Sequence, residues 1–147
     1  MNGFKRDGYY LEVGAFESYT TSNTYVLEKL GWTGISYEIR PECVQQFNNN
    51  RTNVCYCEDA TAANYGERLD ELKAPARIDY LQLDIEPANN TLTALKRMPL
   101  DDYRFTVITF EHDLYIDPTN NSRVKAEANE ILTSHGYLLI CENVKHN

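Results

Sequence analysis

The stretch Gly8-Tyr9-Tyr10-Leu11-Glu12-Val13-Gly14-Ala15 decides the fold. Aromatic and branched residues between two glycines make a short, largely buried strand that ends in a tight turn. The period then changes. Asn23 to Leu30 reads as a helix, with Val26, Leu27 and Leu30 on one face and Gly31 just past its end. Thr33 to Tyr37, around Ile35, returns to strand. A strand, a helix and a second strand make a crossover unit, and crossovers build parallel sheets.

The rest of the chain repeats this alternation. Pro41 suits the first position of a helix carrying Val44 and Phe47, and Asn53 to Cys57 is a third strand. Tyr65 to Leu72 reads as a helix with Leu69 and Leu72 inward, ended by Pro75. Ile78 to Leu83 is strand four; Leu92, Leu95 and Met98 mark the next helix, stopped by Pro99. Phe105 to Phe110 is strand five. Ser122 is placed to cap a helix running to about His135, with Val124, Ala128, Ile131 and Leu132 inward and Gly136 as its terminator. Tyr137 to Cys141 is strand six. The expectation is an α/β fold, residues 1–147 as a single domain, with a mainly parallel sheet and helices on both faces.

Composition limits what such a domain does. Of 147 residues, 42% are hydrophobic and 12% aromatic, which excludes a disordered chain. The net charge of -8, from 22 acidic and 14 basic residues, repels phosphate backbones, so no nucleic-acid partner is expected. No run of 18 apolar residues exists, so no membrane partner is expected either, and Met1 to Asp7 has no apolar run of the signal-peptide kind. Of the four cysteines, Cys43, Cys55, Cys57 and Cys141, the pair Cys55 and Cys57 stands two apart in a strand and so points to opposite faces, which suits neither a zinc knuckle nor a mutual disulfide. Reduced thiols point to a cytoplasmic protein. Asn50-Arg51-Thr52, Asn89-Asn90-Thr91 and Asn120-Asn121-Ser122 match the glycosylation pattern but, without secretion, read only as polar loops.

In open α/β sheets ligands bind beyond the carboxyl ends of the strands. There the sequence places Glu12 and Gly14-Ala15 after strand one, Glu38 after strand two, Glu58-Asp59 after strand three, Asp84 and Glu86 after strand four, and Glu111-His112-Asp113 after strand five. Single acids of this kind are commonly just solvated. Acids after each of five strands make a negative edge, which suits a phosphate poorly. The loop Gly14-Ala15-Phe16-Glu17-Ser18 also lacks the several glycines of a pyrophosphate loop. S-adenosylmethionine, with no phosphate, two cationic groups and hydroxyl and amine donors, fits better. Tyr37 and Tyr80 are further candidates for ligand contact.

Several of these stretches resemble the FkbM family of methyltransferases. Gly8 to Ser18, then Ser22-Asn23-Thr24-Tyr25-Val26-Leu27-Glu28-Lys29, is similar to the family's opening. So are Leu30 to Ile35 with Glu38, Asp79 to Glu86, Ile108 to His112, and Gly136 to Val144. The resemblance implies a class I methyltransferase (Rossmann-like) fold with S-adenosylmethionine as methyl donor. It implies that Glu12, Gly14 and Ala15 form the loop beside the methionine part, and that Ser22 and Asn23 open the helix behind it. It implies that Glu38 holds the ribose hydroxyls, that Asp59 and Ala60 grip the adenine, and that Asp84 and Glu86 lie beside the methyl group. Glu111 and His112 would face the acceptor. Three features depart from the family: Ser18 and Pro87 replace usual glycines, and no sequence is found for the last, antiparallel strand.

The expected activity is O-methylation of a small-molecule hydroxyl, of sugar or natural-product type. His112 is the first candidate general base, because its unperturbed pKa of about 6.5 suits the task, with Glu86 and Glu111 as alternatives. Two other readings stand beside it. One is a metal-assisted methyltransferase, with Mg²⁺ held by Asp84, Glu86, Glu111 and Asp113. The other is a module that binds the donor without turnover. Apolar strands five and six with no seventh strand between them predict either direct pairing of the two or a homodimer that covers the edge.

Overall fold

The computed structural model describes residues 5–142. Five strands form one sheet: β1 (Tyr9–Val13), β2 (Thr33–Glu38), β3 (Val54–Cys57), β4 (Arg77–Leu83) and β5 (Arg104–Phe110). Their order is β3-β2-β1-β4-β5 and every pairing is parallel. The helices are α1 (Tyr25–Lys29), α2 (Pro41–Asn50), α3 (Tyr65–Glu71), α4 (Ala88–Arg97) and α5 (Pro118–Ser134). The fold is thus α/β with an all-parallel sheet flanked by helices, compatible with a Rossmann-like arrangement.

Right-handed crossovers explain the layering. From β1 the chain steps outward to β2 and β3, then returns past β1 to β4 and β5, so the helices of the two halves fall on opposite faces. Leu11, Val13, Ile35, Tyr37, Leu81 and Leu83 face α3, α4 and α5, and with Leu69, Leu92, Leu95, Val124 and Ala128 they form the main core. On the opposite face Val44 and Phe47 of α2 pack on Cys55 and Ala15. In the same layer a polar row crosses the sheet in register: Ser36, Glu12, Gln82 and Thr109.

The structure revises the sequence reading at several places. Tyr137–Cys141 is not a strand: among the described residues nothing pairs with the outer edge of β5, and Leu138 and Ile140 are 84% and 89% exposed. Tyr137 alone reaches back, its hydroxyl accepting from the Phe105 amide at 3.0 Å while its ring lies 3.9 Å from the Arg104 guanidinium. Helix α1 is shorter than expected, five residues, and its Val26 points to solvent. Leu72 is exposed beyond the end of α3. Helix α5 starts at Pro118, capped by Asp117 rather than Ser122. The three glycosylation-like triplets are not free loops: Asn50 ends α2, and the other two lie inside α4 and α5. All four cysteines are free, with Cys55 buried and Cys57 exposed. No helix among the described residues is long and apolar enough to cross a membrane.

Candidate functional site

The order of strands reverses between β1 and β4, and the crevice beyond the carboxyl ends of such a pair is where open sheets bind ligands. Gly14 occupies that point at φ 90°. A Cβ there would stand 1.8 Å from the Asp84 carbonyl oxygen, so only glycine lets the two loops approach this closely. The Gly14 and Ala15 amides both donate to the Tyr37 carbonyl, at 3.0 and 3.1 Å, which draws the loop towards β2. The next residue, Phe16, has φ 45° and a ring 42% exposed. Ser18, where the family resemblance expects glycine, has no left-handed backbone; Phe16 takes that strain instead.

Glu38 sits at the end of β2, nearly buried. Its Oε2 accepts from the Phe16 amide at 3.0 Å; its Oε1 accepts from the Arg40 amide at 3.0 Å and from Arg40 Nε at 3.1 Å. Burial opposes ionisation here, but these bonds and the Arg40 charge outweigh it and hold the carboxyl below its usual range. A carboxylate accepts about four hydrogen bonds. Three are already made, so a vicinal diol gripped by both oxygens requires the Arg40 guanidinium to swing aside. That guanidinium is half exposed and stacks 4.3 Å from the centre of the Phe16 ring.

Glu12 does not lie at the ligand edge. It is 1% exposed, inside the layer between sheet and α1, and its Oε2 accepts from Ser36 Oγ at 2.6 Å and Thr24 Oγ1 at 2.9 Å. Burial pushes its carboxyl up to about 7, against the opposing pull of those two hydroxyls and of Arg51. The idea that every strand delivers an acid to one edge therefore fails at β1. Ser22 is also engaged: its Oγ accepts from the amides of Thr24 and Tyr25, at 3.3 and 3.1 Å, and so caps the start of α1. Asn23 is exposed.

The remaining candidates are scattered along the strand ends. Asp59 turns back on Thr61, accepting from its amide and its hydroxyl at 2.8 and 2.7 Å, and Ala60 is buried with its carbonyl taken by Tyr65 Oη. Asp84 and Glu86 are exposed beyond β4, and Pro87 caps α4. Glu111 is half-buried, its amide bonded to the Leu83 carbonyl. His112 Nδ1 accepts from the Leu114 amide at 3.2 Å. Among the described residues no three His, Cys, Asp or Glu side chains converge to hold a metal ion, so Asp84, Glu86, Glu111 and the buried Asp113 do not form the expected cation cage. Tyr37 is buried in the core, and Tyr80 is tied to Thr109 at 2.8 Å.

Sequence reasoning missed two arginines. Arg40 stands two residues beyond Glu38 and could have been read as its partner. Arg51 is wholly buried against Phe47 and Tyr25 and bonds to the loop between β1 and α1. It sits in a triplet that reads as polar surface, and no periodic signal marks it. Two shallow clefts of about 260 and 330 Å³ lie elsewhere, one between α4 and α5 beside His135 and one beside Tyr103. Neither borders the Gly14 loop. No model of a known protein family matches the chain, and no curated protein matches it.

Proposed function

We propose that the chain is an S-adenosylmethionine-dependent O-methyltransferase domain of the FkbM type, with the class I methyltransferase fold, acting on the hydroxyl of a small molecule. The observation that carries this reading is the meeting of the Gly14 loop and Asp84 at the reversal of strand order, with the Glu38 carboxylate one strand away. The donor set fits the cofactor. Glu38 would hold the ribose hydroxyls, the exposed apolar side chains of Phe16 and Ile39 beside it would take the adenine, and Asp84 would face the cationic end. Asp59 and Ala60 remain adenine contacts through backbone atoms, and Asn23 the free polar group near the amino-acid end. The cofactor supplies an electrophilic methyl group on a sulfonium.

The chain's own residues must then position the hydroxyl and take its proton. With Nδ1 accepting from Leu114, the neutral His112 ring carries its proton on Nε2. It donates rather than accepts there, and so orients the acceptor oxygen. Glu86 and Glu111 are left as the bases. Calorimetry tests the cofactor: S-adenosylhomocysteine should bind and NAD should not, and the reverse would sink the reading. Glu38→Ala should weaken S-adenosylhomocysteine by at least roughly tenfold, each charge-assisted bond contributing about 1.5–3 kcal/mol. Unchanged affinity in the folded variant would make Glu38 a structural acid only.

A further inference from the structure

We propose that Arg51 is a positioning residue for the loop between β1 and α1, its planar fork holding Ser18 to Thr24 in the ligand-binding conformation. The inference rests on the reading above only in taking this loop as the donor's cradle. Arg51 follows the last turn of α2, and its side chain is fully buried, so it touches no ligand itself.

An arginine carries five N–H donors, and all five are used here. Nε donates to Glu28 Oε2 at 2.8 Å. Nη1 donates to the Ser18 carbonyl and to Ser22 Oγ, both at 3.1 Å. Nη2 donates to Thr24 Oγ1 at 3.2 Å and to Tyr10 Oη at 3.4 Å. The work divides along the fork. Glu28, on α1, balances the charge that burial would otherwise make costly. Three of the other four bonds go to the loop. Thr24 passes the connection on, since its hydroxyl accepts from Arg51 and donates to Glu12 on β1. Asn50 adds two links, its Nδ2 donating to Ser18 Oγ at 3.1 Å and its carbonyl accepting from Tyr19 Oη at 3.2 Å.

Beyond these bonds the loop is held by the Phe16 amide on Glu38, by Ser22 Oγ on the Thr24 and Tyr25 amides and by the edge contact of the Tyr19 and Tyr25 rings, and its own backbone adds little. Among the described residues the backbone–backbone bond within residues 16–23 is Ser22 N–H to Tyr19 O, long at 3.4 Å. Lysine keeps the charge but puts three donors at one point, and cannot reach Glu28, Ser18 and Thr24 together.

Amide hydrogen exchange and S-adenosylhomocysteine calorimetry on Arg51→Lys test this, with Ile78→Val as a mild destabiliser elsewhere in the core. Arg51→Lys should lose at least about tenfold of the protection at the Ser22, Thr24 and Tyr25 amides, more than β4 amides lose, and about tenfold or more in affinity, since each charge-assisted bond is among the stronger kinds. Ile78→Val should lose protection evenly and keep its affinity within roughly threefold, the site being distant from the mutation. Loop protection equal to wild type, or an even loss like that of Ile78→Val, would overturn the proposal. Should Arg51→Lys fail to fold, Thr24→Val removes the Nη2 bond to the loop and its onward link to Glu12 while leaving in place the Ser22 Oγ that accepts the Thr24 and Tyr25 amides, and must show the same local loss at the Ser22 and Tyr25 amides; no local change would overturn the proposal. A wild-type chain that does not bind S-adenosylhomocysteine refutes the function, while exchange still decides the role of Arg51.

Discussion

Glu12 and Gly14 lie two residues apart and are constrained in different ways. Glu12 holds a proton up to about pH 7 in the folded chain, whereas in the unfolded chain it releases it near 4.5. Across that window the folded state binds more protons, so stability falls as pH rises and levels off above about 7. Glu28 and Glu38 have the opposite sign: their carboxyls are held low, so what they contribute is lost as pH drops towards the acid range. Glu12→Gln, which keeps the shape and removes the titration, should therefore melt higher than wild type at pH 8, with the gap closing towards pH 5. A gap independent of pH would show that Glu12 does not titrate in this window. At Gly14 the constraint is steric. Gly14→Ala adds left-handed strand-end backbone strain and a collision with Asp84, and should cost at least about 2 kcal/mol in denaturant unfolding. A loss under half of that would mean that the two loops part easily.

At the scale of elements, the strands are legible because their residues leave little choice: the branched and aromatic runs Ile78 to Leu83 and Phe105 to Phe110 favour extended backbone, the first in the buried middle of the sheet and the second at its edge, where Val107 is exposed. Helices were legible in place and less so in their ends. Asp117-Pro118 is a cap followed by a first-turn proline, yet no apolar residue follows until Val124, so the apolar pattern places the cap at Ser122, five residues late. Tyr137–Cys141 has the composition of a strand and is none: composition does not decide whether the chain runs back along the free edge of β5, to which, of these five residues, the Tyr137 side chain bonds. The candidate site was legible in outline, as strand-end residues, but not in its bonding. That Glu12 points into the protein and that Arg51 fills its neighbourhood depend on contacts between segments far apart in sequence. One cap can be tested directly. Asn64 accepts from the Glu67 amide at 3.3 Å and donates to the Glu67 carboxylate at 2.9 Å, closing the first turn of α3. Asn64→Ala should cost about 1 kcal/mol. A thermal shift indistinguishable from zero would show the turn holds without it.

For the molecule as a whole, the outer edge of β5 pairs with no strand among the described residues, and the run Leu138 to Ile140, just after the Tyr137 that bonds to that edge, is exposed. Unpaired backbone beside exposed apolar side chains promotes association. Light scattering should give a mass rising above 17.0 kDa with concentration, and Leu138→Asp should suppress the rise. A wild-type monomer at high concentration would mean that the chain closes its own edge. The position of β1 has a further consequence, in time rather than space. Its first neighbour, β2, is made soon after it, but Tyr10 also pairs with Tyr80, 70 residues later. At about 5–20 residues per second, a ribosome leaves the second side of β1 without its partner for on the order of 4–14 s. During that interval the nascent chain carries an apolar strand half-matched at its centre, and its yield in the cell depends on whatever shields that strand until β4 emerges.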